Sequence, residues 1–119
     1  MDPRPKTIFS DIDGVIFEHS GNITQQHLIK PKLLPGIKET WTDWDRKGYR
    51  IILVTGRRES VRPETIKQLT EAGVFFDQLV MGVTGGVRVL INDMKENSPE
   101  ETAKAINLIR NKGITDVLI

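Results

Sequence analysis

Residues 50–58 read Arg50-Ile51-Ile52-Leu53-Val54-Thr55-Gly56-Arg57-Arg58, and the fold class turns on the first six. Ile51 to Val54 is an unbroken apolar run, mostly β-branched and too short for a helix. Without alternation it reads as a strand covered on both faces, the kind found in parallel sheets. Gly48 before it and Gly56 after it mark where regular structure stops. Upstream, Pro35 opens a helix with Ile37, Trp41 and Trp44 on one face, stopped by Gly48. The tryptophans lie at helical spacing among apolar residues and read as core. Further upstream, Thr7 to Ser10 is a β-branched and aromatic strand, after a polar lead-in whose Pro3 and Pro5 cannot join a sheet.

Downstream, Ser60 and Pro63 start a second helix with Ile66, Leu69 and Ala72 inward and Gly73 as its stop. Asp77 to Met81 reads as a third strand, and Val87 to Ile91 as a fourth that ends in Asn92-Asp93. Ser98-Pro99-Glu100-Glu101 has the form of a capping box, so a third helix is expected from there to about Lys112, with Gly113 ending it. Val117 to Ile119 is expected as a closing strand. Strands alternating with helices define an α/β, Rossmann-like three-layer fold with a mostly parallel sheet, one domain over residues 1–119. The link Gly82 to Gly86 is short for a parallel crossover. Either it is an extended loop at a short edge strand, or one strand is misassigned. Ile16 to Ile29 is irregular, with Glu18 to Asn22 a turn between two short extended pieces. His19 and His27 have no partner at ligand spacing and read as solvent-facing loop residues.

Composition bounds the function classes. With 119 residues, 38% hydrophobic and 28% charged, the chain can build a core and is not of disordered type. Zero cysteines exclude disulfides and thiolate metal sites, which fits a cytoplasmic protein. Met1 is followed by DPRPK with no apolar h-region, and no run approaches the roughly 18 apolar residues of a membrane span. A net charge of +1 makes no global case for nucleic-acid binding.

In a parallel α/β sheet, ligands bind at the carboxyl ends of the strands. Asp11 and Asp13 follow the first strand. At that spacing on an extended chain they share a face, and Gly14 allows a sharp turn. A hard cation such as Mg²⁺ would relieve the repulsion between them, although Asp and Gly are also ordinary turn residues. Thr55 and the Gly56 amide can hold a phosphate oxygen. Asn92-Asp93 would bring a carboxylate from another strand.

These residues carry a family resemblance. Asp11-Ile12-Asp13-Gly14-Val15 matches the DxDGV motif of the haloacid dehalogenase (HAD) superfamily of phosphohydrolases. Thr55 in LVTGRR is similar to its second motif, and Asn92-Asp93 in VLINDMK resembles its fourth; the likeness runs from Lys6 to Ile119. It implies that Asp11 is a nucleophile forming an aspartyl-phosphate and Asp13 a general acid and base. It implies Mg²⁺ held by the Asp11 carboxylate, the Asp13 backbone carbonyl and Asp93, with Thr55 and Gly56 cradling the phosphoryl group. The pattern departs at the third motif, where Met81-Gly82-Val83-Thr84 has Val83 in place of the family's lysine. Arg88 and Lys95 are the nearest replacements. On a regular fourth strand Arg88 would start roughly 16 Å below Asp93, so Lys95 is the expected phosphate-binding cation.

The resemblance also implies a capless member, since Val15 to Pro35 has room only for a small flap and Arg57 to Val83 holds one helix and one strand. Arg57, Arg58 and Arg62 read as a solvated helix start, or as recruiters of an anionic substrate. The function expected is a Mg²⁺-dependent phosphatase acting on a phosphorylated small molecule. The alternatives are a HAD-like module that binds a phosphorylated ligand with little or no turnover, and a phosphatase acting on nucleic-acid ends, against which near-neutral charge argues. The shortage of residues to cover the site suggests that a second subunit of a homo-oligomer, or a large substrate, closes it.

Overall fold

A computed structural model describes residues 2–115, 117 and 119. Its sheet has three parallel strands in the order β1 (Thr7–Ser10), β2 (Arg50–Thr55), β3 (Gln78–Met81). Helix α1 (Ile37–Arg46) connects β1 to β2, and α2 (Arg62–Glu71) connects β2 to β3. This is an α/β, Rossmann-like arrangement with a parallel sheet. The register pairs Ile8 with Ile51 and Ser10 with Leu53, then Leu53 with Leu79 and Thr55 with Met81. Side chains alternate across a strand, so these residues share one face. Ile51, Leu53, Leu79 and Met81 pack there in one core with Ile37, Trp41, Trp44 and Leu69 from the helices.

Local chemistry explains the elements. In α1 the buried positions are Ile37, Trp41 and Trp44, and the two indole rings lie 4.8 Å apart between centroids. Trp41 Nε1 donates to the Phe75 carbonyl at 3.1 Å, which ties α1 to the loop before β3. Asp77 fixes where β3 starts: its carboxylate accepts the Ile51 N–H at 2.8 Å and its own N–H donates to the Ile51 carbonyl at 2.7 Å. Residues 22–28 are more regular than expected. Asn22 accepts the Thr24 N–H and caps a 3₁₀ turn over Ile23–Leu28, beside an antiparallel bridge between Phe17 and Leu33.

The last third departs from expectation. Val87 to Ile91 forms no strand, and Val87, Val89 and Ile91 are 94%, 79% and 91% exposed. The Gly82–Gly86 link is too short for a crossover to a parallel neighbour, so of the two alternatives the strand was misassigned. Ser98 Oγ does accept the Glu100 N–H, but no helix follows, and Ile109 is 74% exposed. An amphipathic segment of this length depends on burying its whole apolar stripe, and here Leu108 packs against the core while Ile106 and Ile109 stay exposed. The far face of the sheet is open to match, with Phe9 at 56% and Val80 at 41%, so β2 is well covered on one face and half-covered on the other. The expected closing strand Val117 to Ile119 runs through Leu118, which lies outside the described residues. No helix among the described residues is long and apolar enough to cross a membrane.

The chain returns to the core at residues 111–114. Asn111 Oδ1 accepts the His19 N–H at 2.7 Å and its Nδ2 donates to the His19 carbonyl at 3.2 Å, while its backbone N–H donates to the Gly14 carbonyl at 2.9 Å. Ile114 N–H donates to the Pro35 carbonyl at 2.9 Å. Gly36, which caps α1 with φ +82°, is pressed so closely that a Cβ there would sit 1.8 Å from the Ile114 carbonyl oxygen. Gly48 has φ +74° but faces open space. Gly36→Ala should therefore cost about 2–4 kcal/mol, through clash and strain together, and Gly48→Ala about 1 kcal/mol through strain alone. Urea midpoints at unchanged m-value would measure both, and equal losses would contradict the Gly36–Ile114 contact.

Candidate active site

Parallel strands put the carboxyl ends of β1 and β2 side by side, so Asp11, Asp13, Thr55 and Gly56 emerge at one end of the sheet. The two aspartates then part company. The chain leaves the sheet at Ser10 and winds into a tight loop in which Ile16 and Phe17 N–H both reach the Ile12 carbonyl. Gly14, with φ +92°, donates its N–H to the Phe17 carbonyl at 2.7 Å. Strand periodicity therefore does not govern residues 11–13. Asp11 stays outward, its side chain 39% exposed, and Asp13 turns inward, its side chain 3% exposed.

Asp13 meets Arg57. Arg57 Nε donates to Asp13 Oδ2 at 2.9 Å and Nη2 to Oδ1 at 2.8 Å, while Nη1 donates to Gln68 Oε1 at 2.6 Å and Thr65 Oγ1 at 3.1 Å. The Arg57 side chain is fully buried. A buried guanidinium is tolerated only when its donors are filled, and a planar fork on a carboxylate is the favourable geometry. Arg57 is thus neither a solvated helix start nor a substrate recruiter. Of its expected companions, Arg58 is exposed and Arg62 is held by Glu59 and the Leu79 carbonyl.

Thr55 is 1% exposed and its hydroxyl accepts the Arg57 N–H at 3.1 Å, so it braces its own loop. The loop after β3 is tied in by Gly82 N–H to the Arg57 carbonyl and Val83 N–H to the Thr55 carbonyl. Asp11 Oδ1 accepts the Ile12 N–H at 2.9 Å, and its Oδ2 lies 3.5 Å from Arg88 Nη1. Arg88, not Lys95, is therefore the cation beside Asp11. Only a regular fourth strand would hold Arg88 out of reach, and that strand does not form. Lys95 lies near Asp2, whose carboxyl is held far below its ordinary range by hydrogen bonds from Arg4, with a smaller contribution from Lys95.

Asn92 and Asp93 are engaged elsewhere. Asn92 Nδ2 donates to the carbonyl and hydroxyl oxygens of Thr102, whose hydroxyl donates to the Asp93 carbonyl. Among the described residues, no group of three or more His, Cys, Asp or Glu converges to hold a metal ion. Of the expected set, the Asp11 carboxylate shares its free edge with an arginine and Asp93 does not converge with it, which leaves the Asp13 backbone carbonyl without its two carboxylate companions. This donor set does not fit Mg²⁺. His19 and His27 are half-buried, and His19 Nδ1 accepts the Gly21 N–H.

No family model and no curated protein matches the sequence. Solved structures do resemble it. A chain of the Pnkp1/Rnl/Hen1 complex superposes with a TM-score of 0.58 at 24% identity, over 71% of this chain and 30% of that one. A chain from the structure of the Pnkp1/Rnl/Hen1 RNA repair complex gives 0.57 at 25%, over 71% and 28%. A D,D-heptose 1,7-bisphosphate phosphatase from B. bronchiseptica, complexed with magnesium and phosphate, gives 0.47 at 18%, over 64% and 49%. This chain thus spans less than a third of the length of the first two. The likeness extends to the α/β fold.

The sequence reading missed Arg57's inward role, Thr65, Gln68 and Gln26. The available signal was the polar pair Thr65 and Gln68, three apart beside Leu69 on α2; these three are the buried positions, whereas Ile66, expected inward, is exposed. Arg57→Met should cost about 3–5 kcal/mol by stranding the Asp13 carboxylate in the interior, and Arg57→Met with Asp13→Asn should cost less than the two single changes added. Strict additivity in urea unfolding would refute the pair's coupling.

Proposed function

We propose that this protein is a HAD-type phosphatase that cleaves a phosphomonoester with Asp11 as nucleophile. One observation carries this reading: at the carboxyl end of the sheet, Asp11 is half-exposed with Arg88 at 3.5 Å, while its neighbour Asp13 is buried and fixed. A phosphoryl group placed against Asp11 would meet a nucleophilic oxygen and a cation together, and phosphoryl transfer asks for positioning and charge stabilisation above all. The cycle starts from the form in which Asp13 carries a proton: in the first step an Asp11 oxygen bonds to phosphorus, the bond to the leaving oxygen breaks, and that oxygen takes the proton from Asp13. In the second, water gives its proton to Asp13, attacks phosphorus and releases Asp11. Arg57 occupies one lone-pair direction on each Asp13 oxygen and leaves others for the proton. Arg88 takes the place of the third-motif lysine, with Lys95 the alternative. The resemblance carries Mg²⁺ with it; no step here runs through the ion, because the donor set does not fit it.

Two further readings have support. A phosphoryl-binding module with little turnover is favoured by the burial of Asp13. A phosphatase acting on nucleic-acid ends is favoured by the 25% identity to a chain of an RNA repair complex. Phosphate release from 3′- and 5′-phosphorylated oligonucleotides, measured beside sugar phosphates and nucleotides, separates all three.

Asp11→Asn should reduce phosphate release by 10³-fold or more with an unchanged melting curve. Undiminished turnover would end the covalent mechanism. Arg88→Met should lower kcat/KM by about 10²-fold, as loss of a charge-stabilising donor does, and Lys95→Met should lower it less than threefold. The reverse order would assign the cation to Lys95.

A further inference from the structure

We infer that Gln68 is a positioning residue that couples the seating of the flap, residues 18–29, to the orientation of the Asp13 carboxylate. Its bearing on turnover rests on the phosphatase reading; the coupling itself does not. Gln68 projects from the inner face of α2, where an apolar side chain would ordinarily pack, and is 7% exposed. Its Oε1 accepts from Arg57 Nη1 at 2.6 Å, and its Nε2 donates to the carbonyls of Gln26 at 3.2 Å and Ile29 at 2.9 Å. A reversed amide would set NH₂ against a guanidinium and oxygen against two carbonyls, so the flap carbonyls dictate which end faces Arg57.

The flap side is as closely specified. Gln26 is 0% exposed, donates to the Glu18 carbonyl at 2.7 Å, and accepts the Ser20 N–H at 3.1 Å and hydroxyl at 2.8 Å. Ser20 thus holds the Gln26 side chain, and from the Gln26 backbone carbonyl hydrogen bonds run through Gln68 and Arg57 to both Asp13 oxygens. No buried side-chain nitrogen or oxygen among the described residues lacks a partner, so displacing one member of the path leaves its neighbour unfilled. When the flap lifts, Gln68 loses both acceptors and its amide is free to turn. Arg57 then keeps only Thr65 beyond the carboxylate, and the Asp13 carboxylate loses its fixed orientation.

The Arg57 Nε–H proton, which points at Asp13 Oδ2, reports this directly by ¹⁵N NMR and solvent exchange, with no substrate present. Flap backbone amides are followed in the same sample. Gln68→Ala, Gln26→Ala and the milder Ser20→Ala should each speed exchange both in the flap and at Arg57 Nε–H, by about tenfold for the glutamine changes and about threefold for the serine. Ser20 and Gln26 make no hydrogen bond to Arg57, so their effect on its Nε–H must travel through Gln68. Faster flap amides with an unchanged Nε–H in Ser20→Ala and Gln26→Ala would overturn the coupling. In turnover, Gln68→Ala should lower kcat about tenfold with KM changed less than twofold, and an unchanged kcat would overturn the positioning role. A wild type that releases no phosphate from any substrate defeats the phosphatase reading and leaves the exchange measurement to decide the coupling.

Discussion

A guanidinium and a carboxylate shut away from water are held in this fold by four side-chain hydrogen bonds to Arg57, and much of the geometry follows from keeping those bonds filled. Desolvating each ion costs several kcal/mol, and a partner that leaves the other charge stranded is strongly destabilising. The requirement reaches outward in three directions. It draws the loop after β1 inward at Asp13, it makes the inner face of α2 polar at Thr65 and Gln68, and through Gln68 it binds the carbonyls of residues 26 and 29. The sheet end, the second helix and the flap are thereby set relative to one another by charge as much as by apolar packing.

The same constraint separates two aspartates that are nearly adjacent in sequence. Asp13 is spent on the interior, and Asp11 is left at the surface with one oxygen facing Arg88. Two carboxylates with such different surroundings have different chemistry available to them: one is suited to bonding with an incoming group, the other to holding a fixed direction. That division arises from Gly14 and the loop it permits, since a chain continuing as strand would have presented both carboxylates alike.

The first two-thirds of the fold could be read from sequence because periodicity and stop signals agree there. RIILVT, the Ile37–Trp41–Trp44 spacing and the bounding glycines each indicate the element that forms. The last third misleads because VRVLI and the box at Ser98 carry strong local signals while most of their apolar side chains stay exposed, and local signal does not form structure without burial. At the candidate site, the grouping of Asp11, Asp13, Thr55 and Gly56 was legible from their place after strands, since parallel pairing brings those strand ends together. Arg57 could be seen but not oriented, because its partner is 44 residues away and nothing local marks the pairing. Lys95 was favoured over Arg88 by a distance valid only for an extended strand.

Asn111 holds His19 across 92 residues of sequence, with bonds that imitate a rung of strand pairing, and it also takes the Gly14 carbonyl. Closing so long a loop carries an entropic cost that nearby contacts do not, and parallel strands already make the topology slow to assemble. The order of assembly follows: β1, α1 and β2 can associate before residue 111 is engaged, but the loop bearing Asp11 and Asp13 cannot take its final form until then. On the ribosome, the aspartates would emerge about a hundred residues before Asn111 and acquire their arrangement only after it. In the interval Ile12, Ile16 and Phe17, all fully buried in the finished loop, are less completely covered, the condition under which chaperones are recruited.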